Sequence, residues 1–218
     1  VDTNTKVIHK YEALIRYITK DGVEIAPYNF INVAKKTKLY PNIIKIVIQD
    51  AFKLIKNKNK RVSVNISFDD IANEETTTFI YEILEQHKEY TKFLEFEILE
   101  SEEISDFNEV SRFISEIKKF DCIVGVDDFG AGYSNFNLLT LLDIDFVKID
   151  GSLIEKITTS KDLEIIVNTI ANFSKEFKVK TVAEYVSNED IYNKIKELNI
   201  DYCQGYYFDR PLSYDNVK

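Results

Sequence analysis

Short apolar, β-branched runs alternate along this chain with amphipathic stretches of helical period. Residues 7–16 alternate as a strand does and precede a turn at Asp21-Gly22. Helical patterns follow over 30–38 and 43–56, separated by Pro41, which suits a helix start. Residues 61–68 (RVSVNISF) predict a strand, 74–86 a helix, 93–99 a strand and 107–119 a helix. Short strands at 123–127 and 146–149 flank a glycine loop and a helix at 135–142. Leu163, Ile166, Val167, Ile170, Phe173 and Phe177 share one helical face, so that segment packs on a sheet. A strand at 180–184, a helix at 189–198 and a strand at 202–205 complete the series.

Seven strands separated by helices call for parallel strands covered by helices. No linker, repeat or low-complexity tract interrupts the run, so residues 1–218 are expected to form one α/β domain. The polar positions decide its architecture. Glu12, Asn65, Glu97, the pair Asp127-Asp128, Lys148, Glu184 and Gln204 each sit in or at the end of a different strand-like run. An open sheet would gather such groups at one crevice. A closed (β/α)8 barrel gathers them from the ends of many strands at one mouth, and seven contributing strands favour closure.

Composition narrows the chemistry. Against 28 basic residues stand 37 acidic ones, a net charge of -9, which argues against a DNA or RNA polymer as partner. A small phosphate ligand stays open, because metal ions can supply positive charge locally. No apolar stretch approaches the ~20 residues that span a bilayer, and no signal peptide opens the chain. Cys122 and Cys203 both fall within strands and read as buried core thiols of a reducing compartment. Methionine is absent, which predicts a trimmed piece of a longer polypeptide.

A lone acid at a strand end is ordinarily a helix cap or a solvated anchor. Here, Glu97 and Glu184 interrupt apolar runs, where a charge is costly unless paired or metal-bound. Adjacent Asp127 and Asp128 repel, and a shared divalent cation offsets that repulsion. Carboxylates and amides are hard oxygen donors suited to Mg2+ or Mn2+. His9 and His87 lie away from the cluster in pattern, which argues against a His/Cys zinc site; His87 reads as a solvated helix end. The glycine loop 129–134 matches neither a P-loop nor a dinucleotide fingerprint, and a tight turn with Asn135 as helix cap explains it equally well. Arginine is scarce. Arg16 has the fork that suits a phosphate, Arg210 less so, and Arg61 and Arg112 read as exposed charges.

Several motifs together resemble the EAL-domain phosphodiesterases that cut cyclic di-GMP. They are YEALIR at 11–16, VNIS at 64–67, EILE at 97–100, DDFGAGYS at 127–134, VKID at 147–150, AE at 183–184, and QGY at 204–206 with RPL at 210–212. The resemblance implies a TIM-like barrel with one antiparallel strand. It implies that Glu12, Asn65, Glu97 and Asp127 ligate one Mg2+ or Mn2+, and Asp127, Asp128 and Glu184 a second. Lys148 and Gln204 resemble residues that hold the attacking water, with Glu184 as the alternative base; Arg16 resembles the one that binds substrate phosphate. Glu100 resembles the anchor of the loop containing Phe129, Gly130 and Gly132, and Asp150 a supporting acid. Two such cations clamp a phosphodiester and stabilise the leaving alkoxide, giving linear pGpG. Ca2+ is expected to be inhibitory.

Departures from the family pattern are Tyr185 for glycine, Ser187 for an acid, Gly151 for a frequent arginine, and Leu99 and Ala131 for hydroxyl residues. Ser187 bears on second-layer tuning of the metal site. The family's N-terminal helix and first strand are expected to be largely missing, residues 1–2 resembling that strand's end. The resemblance further implies a homodimer coupled through loop 129–134. A sensory or GGDEF-type domain in a longer bacterial protein, a cytoplasmic location and control of biofilm and motility are also implied. The alternatives are a catalytically weak or inactive receptor for cyclic di-GMP and a purely regulatory or dimerisation module.

Overall fold

The structure, a computed structural model, describes residues 1–37, 40–99, 107–131, 136 and 138–217, and of Asn32 the backbone alone. Strand β1 (Tyr11–Glu12) is followed by a hairpin of β2 (Tyr17–Ile18) and β3 (Glu24–Ile25) and by helix α1 (Ile31–Lys35). Helix α2 (Tyr40–Lys58) takes Pro41 as its second residue, where a missing N–H costs nothing. It buries Ile44, Ile48, Ala51, Phe52 and Ile55 along one stripe. Strand β4 (Val62–Ile66) leads through α3 (Phe68–Ala72) to α4 (Glu74–Gln86), which Asn73 caps by accepting from Thr76 N–H at 2.9 Å.

Strand β5 (Leu94–Leu99), helix α5 (Phe107–Lys118), β6 (Ile123–Phe129), α6 (Leu138–Leu141), β7 (Phe146–Ile149) and α7 (Gly151–Ile154) follow. Helix α8 (Lys161–Glu176), capped by Ser160, precedes β8 (Lys180–Ala183), and α9 (Glu189–Glu197), capped by Asn188, precedes β9 (Tyr202–Cys203). The strands lie in the order β1-β4-β5-β6-β7-β8-β9, every neighbour parallel. The sheet curls until its edges meet: Gln204, just past β9, reaches Glu12 on β1, and the His9 ring stacks on Tyr202 at 4.4 Å. Residues 1–3 run antiparallel to β9, with Asp2 bridged to Tyr202 and reciprocal hydrogen bonds between Val1 and Cys203. Apart from the separate β2–β3 hairpin, that is the antiparallel element among the described residues. Outward-facing Val64, Ile66, Phe96, Ile98, Val124, Val126, Val147 and Ile149 meet the helices in one apolar core.

The strand expected at 7–16 shrinks to two residues. Val7 and Ile8 are exposed and Lys6 has a φ of 58°, so their alternation reflects no sheet face. The helix expected at 135–142 is described as α6 alone, and Asn135 lies outside the described residues. Cys122 precedes β6 instead of lying in it; both thiols are buried and free, and burial pushes the Cys122 thiol up to about 12. No helix among the described residues is long and apolar enough to cross a membrane.

Candidate active site

Side chains two residues apart on a strand share a face, so the lumen fills in staggered rings. Toward the strand C-termini one ring holds Glu12, Asn65, Glu97, Asp127, Lys148, Glu184 and Gln204. One pleat deeper lie Lys10, Ser63, Glu95, Gly125 and Phe146.

Lys148 is the hub of the mouth. Its side chain is 1% exposed, and Nζ lies 2.9 Å from Asp127 Oδ1, 2.9 Å from Glu184 Oε1, 3.0 Å from Glu97 Oε2 and 3.4 Å from Glu12 Oε2. Glu12 also accepts from Asn65 Nδ2 at 2.9 Å and Gln204 Nε2 at 2.8 Å. One oxygen each from Glu12, Glu97 and Asp127 lie within 4.8 Å of one another, and so do one each from Asp127, Asp128 and Glu184. Asp127 belongs to both groups.

Neighbours on a strand should point to opposite faces, so Asp128 needs a device to join Asp127. The ladder between β6 and β7 shifts register between Val126 and Phe129, and Asp128 adopts a φ of 54°. This bulge turns the second carboxylate back to the mouth, in a conformation that aspartate tolerates. Asp128 N–H donates to Asp127 Oδ1 at 2.9 Å. Phe129 is fully buried behind them, and Gly130 has a φ of 101°, where an added Cβ would press on Leu153.

Charge is unbalanced here. For Lys148, burial would lower the pKa, but Glu97, Glu12, Asp127 and Glu184 raise it well above the ordinary value. Burial likewise favours neutral Glu97, yet Lys10 and Lys148 together hold it ionised, down at about 2. The remaining acids share too little cation. Burial pushes Asp127 to about 6 and Glu184 to about 8, and raises Asp128 too, with Asp150 adding to the effect.

The residues fit a pair of divalent cations. The donor set is all oxygen, five carboxylates gather about the buried Lys148 ammonium while Lys10 is shared between Glu97 and Glu95, and Asn65 Oδ1 is buried without a hydrogen-bond donor. A cation beside that orphaned oxygen answers both the electrostatics and the unmet acceptor.

All the mouth residues expected from the sequence are therefore brought together, with Asp150 beside Asp128 and capping α7 through Ser152. Arg16 is not: its guanidinium donates to the Ile15 carbonyl at 2.9 Å and the Leu14 carbonyl at 3.5 Å. Glu100 and Gly132 lie outside the described residues. Two departures from the family pattern prove to be one. The Tyr185 ring, held at a φ of 52°, covers Gly151, where any Cβ would collide with it. His9 and His87 stay off the cluster, and His87 forms the half-buried C-terminal cap of α4 against Phe52.

Arg61 corrects its reading as an exposed charge. It reaches Glu95 at 3.5 Å and packs near Phe93. Sequence reasoning also passed over Lys10 and Glu95. Each stands two residues before a mouth ligand, and that spacing was the available signal.

A parallel α/β barrel with an all-oxygen acidic mouth defines a class of candidate divalent-metal sites. A model of the EAL domain matches residues 1–211, and the chain belongs to that family. It is 30% identical over 207 residues to the "Cyclic di-GMP phosphodiesterase PdeA" of Borreliella burgdorferi, covering 93% of this chain and 31% of that protein. An EAL domain protein from Listeria monocytogenes EGD-e is 31% identical, with a TM-score of 0.88 over 99% of this chain and 86% of that one. The PaMucR phosphodiesterase in complex with c-di-GMP is 25% identical, with a TM-score of 0.86 over 94% and 85%. The chain spans between 24% and 31% of the length of the first curated relatives it matches.

Proposed function

We propose that this chain is the catalytic unit of a metal-dependent phosphodiesterase that hydrolyses cyclic di-GMP to linear pGpG. The observation that carries the reading is the pair of overlapping acid groups sharing Asp127. The names of the relatives and the c-di-GMP complex of a related phosphodiesterase support the substrate. Glu12, Asn65, Glu97 and Asp127 would hold one Mg2+ or Mn2+, and Asp127, Asp128 and Glu184 the other. When bound, such ions polarise the phosphodiester and bring a water's pKa toward neutrality.

The chain's own groups do the positioning. Lys148 Nζ, fixed by carboxylates on several sides, orients the attacking water and neutralises charge developing on the phosphoryl oxygens. Gln204 gives Nε2 to Glu12, which leaves its Oε1 to accept from the water. Glu184 is the candidate to take the water's proton. Arg16 binds substrate phosphate after releasing the Ile15 carbonyl. Gly130, with Glu100, Phe129, Gly132 and Asp150, supports the loop that follows the aspartate pair.

Residues 1–218 act as one EAL domain within a longer bacterial protein that carries a sensory or GGDEF-type domain. The greater length of the relatives supports this. In this reading the protein works as a cytoplasmic homodimer in biofilm and motility control.

The test is to incubate the chain with cyclic di-GMP and Mg2+ or Mn2+ and follow linear product by chromatography. Product that needs the metal, and that Ca2+ fails to support, is expected. Binding without product would instead make the chain a receptor, and neither binding nor product an interaction module.

A further inference from the structure

Glu97 divides its two oxygens between the rings of the lumen. Oε1 accepts from Lys10 Nζ at 2.7 Å, whereas Oε2 accepts no hydrogen bond and lies 3.0 Å from Lys148 Nζ in the mouth. Lys10 is itself pinned. Its side chain is 11% exposed, its ammonium is 3.7 Å from the centre of the Phe146 ring, and Glu95 Oε2 holds it at 2.9 Å. Phe146 lies against Gly125, where any Cβ would collide with the ring, and Glu95 is tied to Arg61 at 3.5 Å.

We infer that Lys10 is a positioning residue that withholds one oxygen of Glu97 from the metal site and so selects small octahedral cations over Ca2+. This rests on the two-cation reading above. A carboxylate with Oε1 committed to a lysine offers a single oxygen. Mg2+ accepts single oxygens in a tight octahedron. Ca2+ takes 6–8 ligands at longer range and commonly draws both oxygens of a carboxylate. Ion selection in this domain would then be set from below the site, by a residue that touches neither metal nor substrate.

Calorimetric titration of Mg2+, Mn2+ and Ca2+ into the 218-residue chain and into Lys10→Met tests this without reference to turnover. Losing the Lys10 charge raises affinity for every divalent ion, so the readout is the ratio of Mn2+ to Ca2+ affinity. That ratio is expected to fall about tenfold, because Glu97 can then chelate through both oxygens. Lys10→Met leaves Glu95 less well paired, so Lys10→Met/Glu95→Gln carries the same test with that buried charge removed. An unchanged ratio in a folded variant overturns the inference. Wild-type protein that binds none of the three ions overturns the two-cation reading itself, and this inference with it.

Discussion

The mouth ring and the ring one pleat below it are carried by the same strands and differ in how they handle charge. At the mouth, Lys148 stands among four carboxylates with Asp128 beside them, and Asn65 Oδ1 is left without a donor. Below, Lys10 is met by Glu95 and Glu97, Arg61 braces Glu95, and Phe146 fills the space that Gly125 vacates. Unmet charge is concentrated where a cation can enter from solvent and neutralised where none can. A buried ion pair stabilises little by itself, but breaking one side of it leaves a costly lone charge. The lower ring therefore gives rigidity, and the mouth holds the unmet charge that the proposed cations would neutralise.

Substitutions at the two levels should separate these roles. The largest effect is expected for Asp127→Ala, which removes the carboxylate common to both acid groups. Hydrolysis should fall on the order of 10³-fold or more by product chromatography, while the thermal melt in chelator stays at or above wild type because a repelling charge has gone. Lys148→Met should cost about 3–5 kcal/mol of stability in chelator by urea unfolding, since it takes the ammonium away from buried Asp127 and Glu184, and Mn2+ should restore much of it. Gly125→Ala in the lower ring should cost about 1–3 kcal/mol through steric overpacking against Phe146, and metal should not rescue it.

The smallest effect is one of pH. Glu184 titrates near 8 in the folded chain because it is buried, against 4.5 for an ordinary glutamate, so the folded state keeps a proton that the unfolded chain releases. Its contribution to stability is complete below about 4.5 and is lost as pH rises through about 8. Asp127, at about 6, acts with the same sign. Urea midpoints in chelator should therefore decline from pH 5 to pH 8, and Glu184→Gln should flatten that slope. An equally steep decline in that variant would remove Glu184 as its source.

Much of this was legible in the residue pattern. The helix at 74–86 and the strand at 146–149 read from sequence with the bounds found in the fold. Their periodicities are undiluted, since each buries a continuous stripe or run. Helix α3 was missed although Ser67 and Asp70 form a reciprocal capping box, because five residues are too few for a period to emerge. Helix α7, which Asp150 caps, escaped for the same reason. The hairpin of β2 and β3 leaves every strand residue but the half-buried Ile25 exposed, so its alternation marks no core face. Arg16 was legible as a residue type but not as a conformation. Local carbonyls compete for its guanidinium, and nothing in the spacing of YEALIR reports that.

Residue types and their spacing determined the alternation of strand and helix, the acidic mouth and the family, because each depends on periods of two to four residues along the chain. Tertiary structure alone decided three further things. It paired Lys10 with Glu97, distant in sequence, through the curl of the sheet. It made Tyr185, just past β8, and Gly151, at the start of α7, one fitted contact. And it brought Asp128 to the same mouth as Asp127 through a bulge that depends on the neighbouring strand. Such contacts follow from sheet closure and register, which no local pattern encodes.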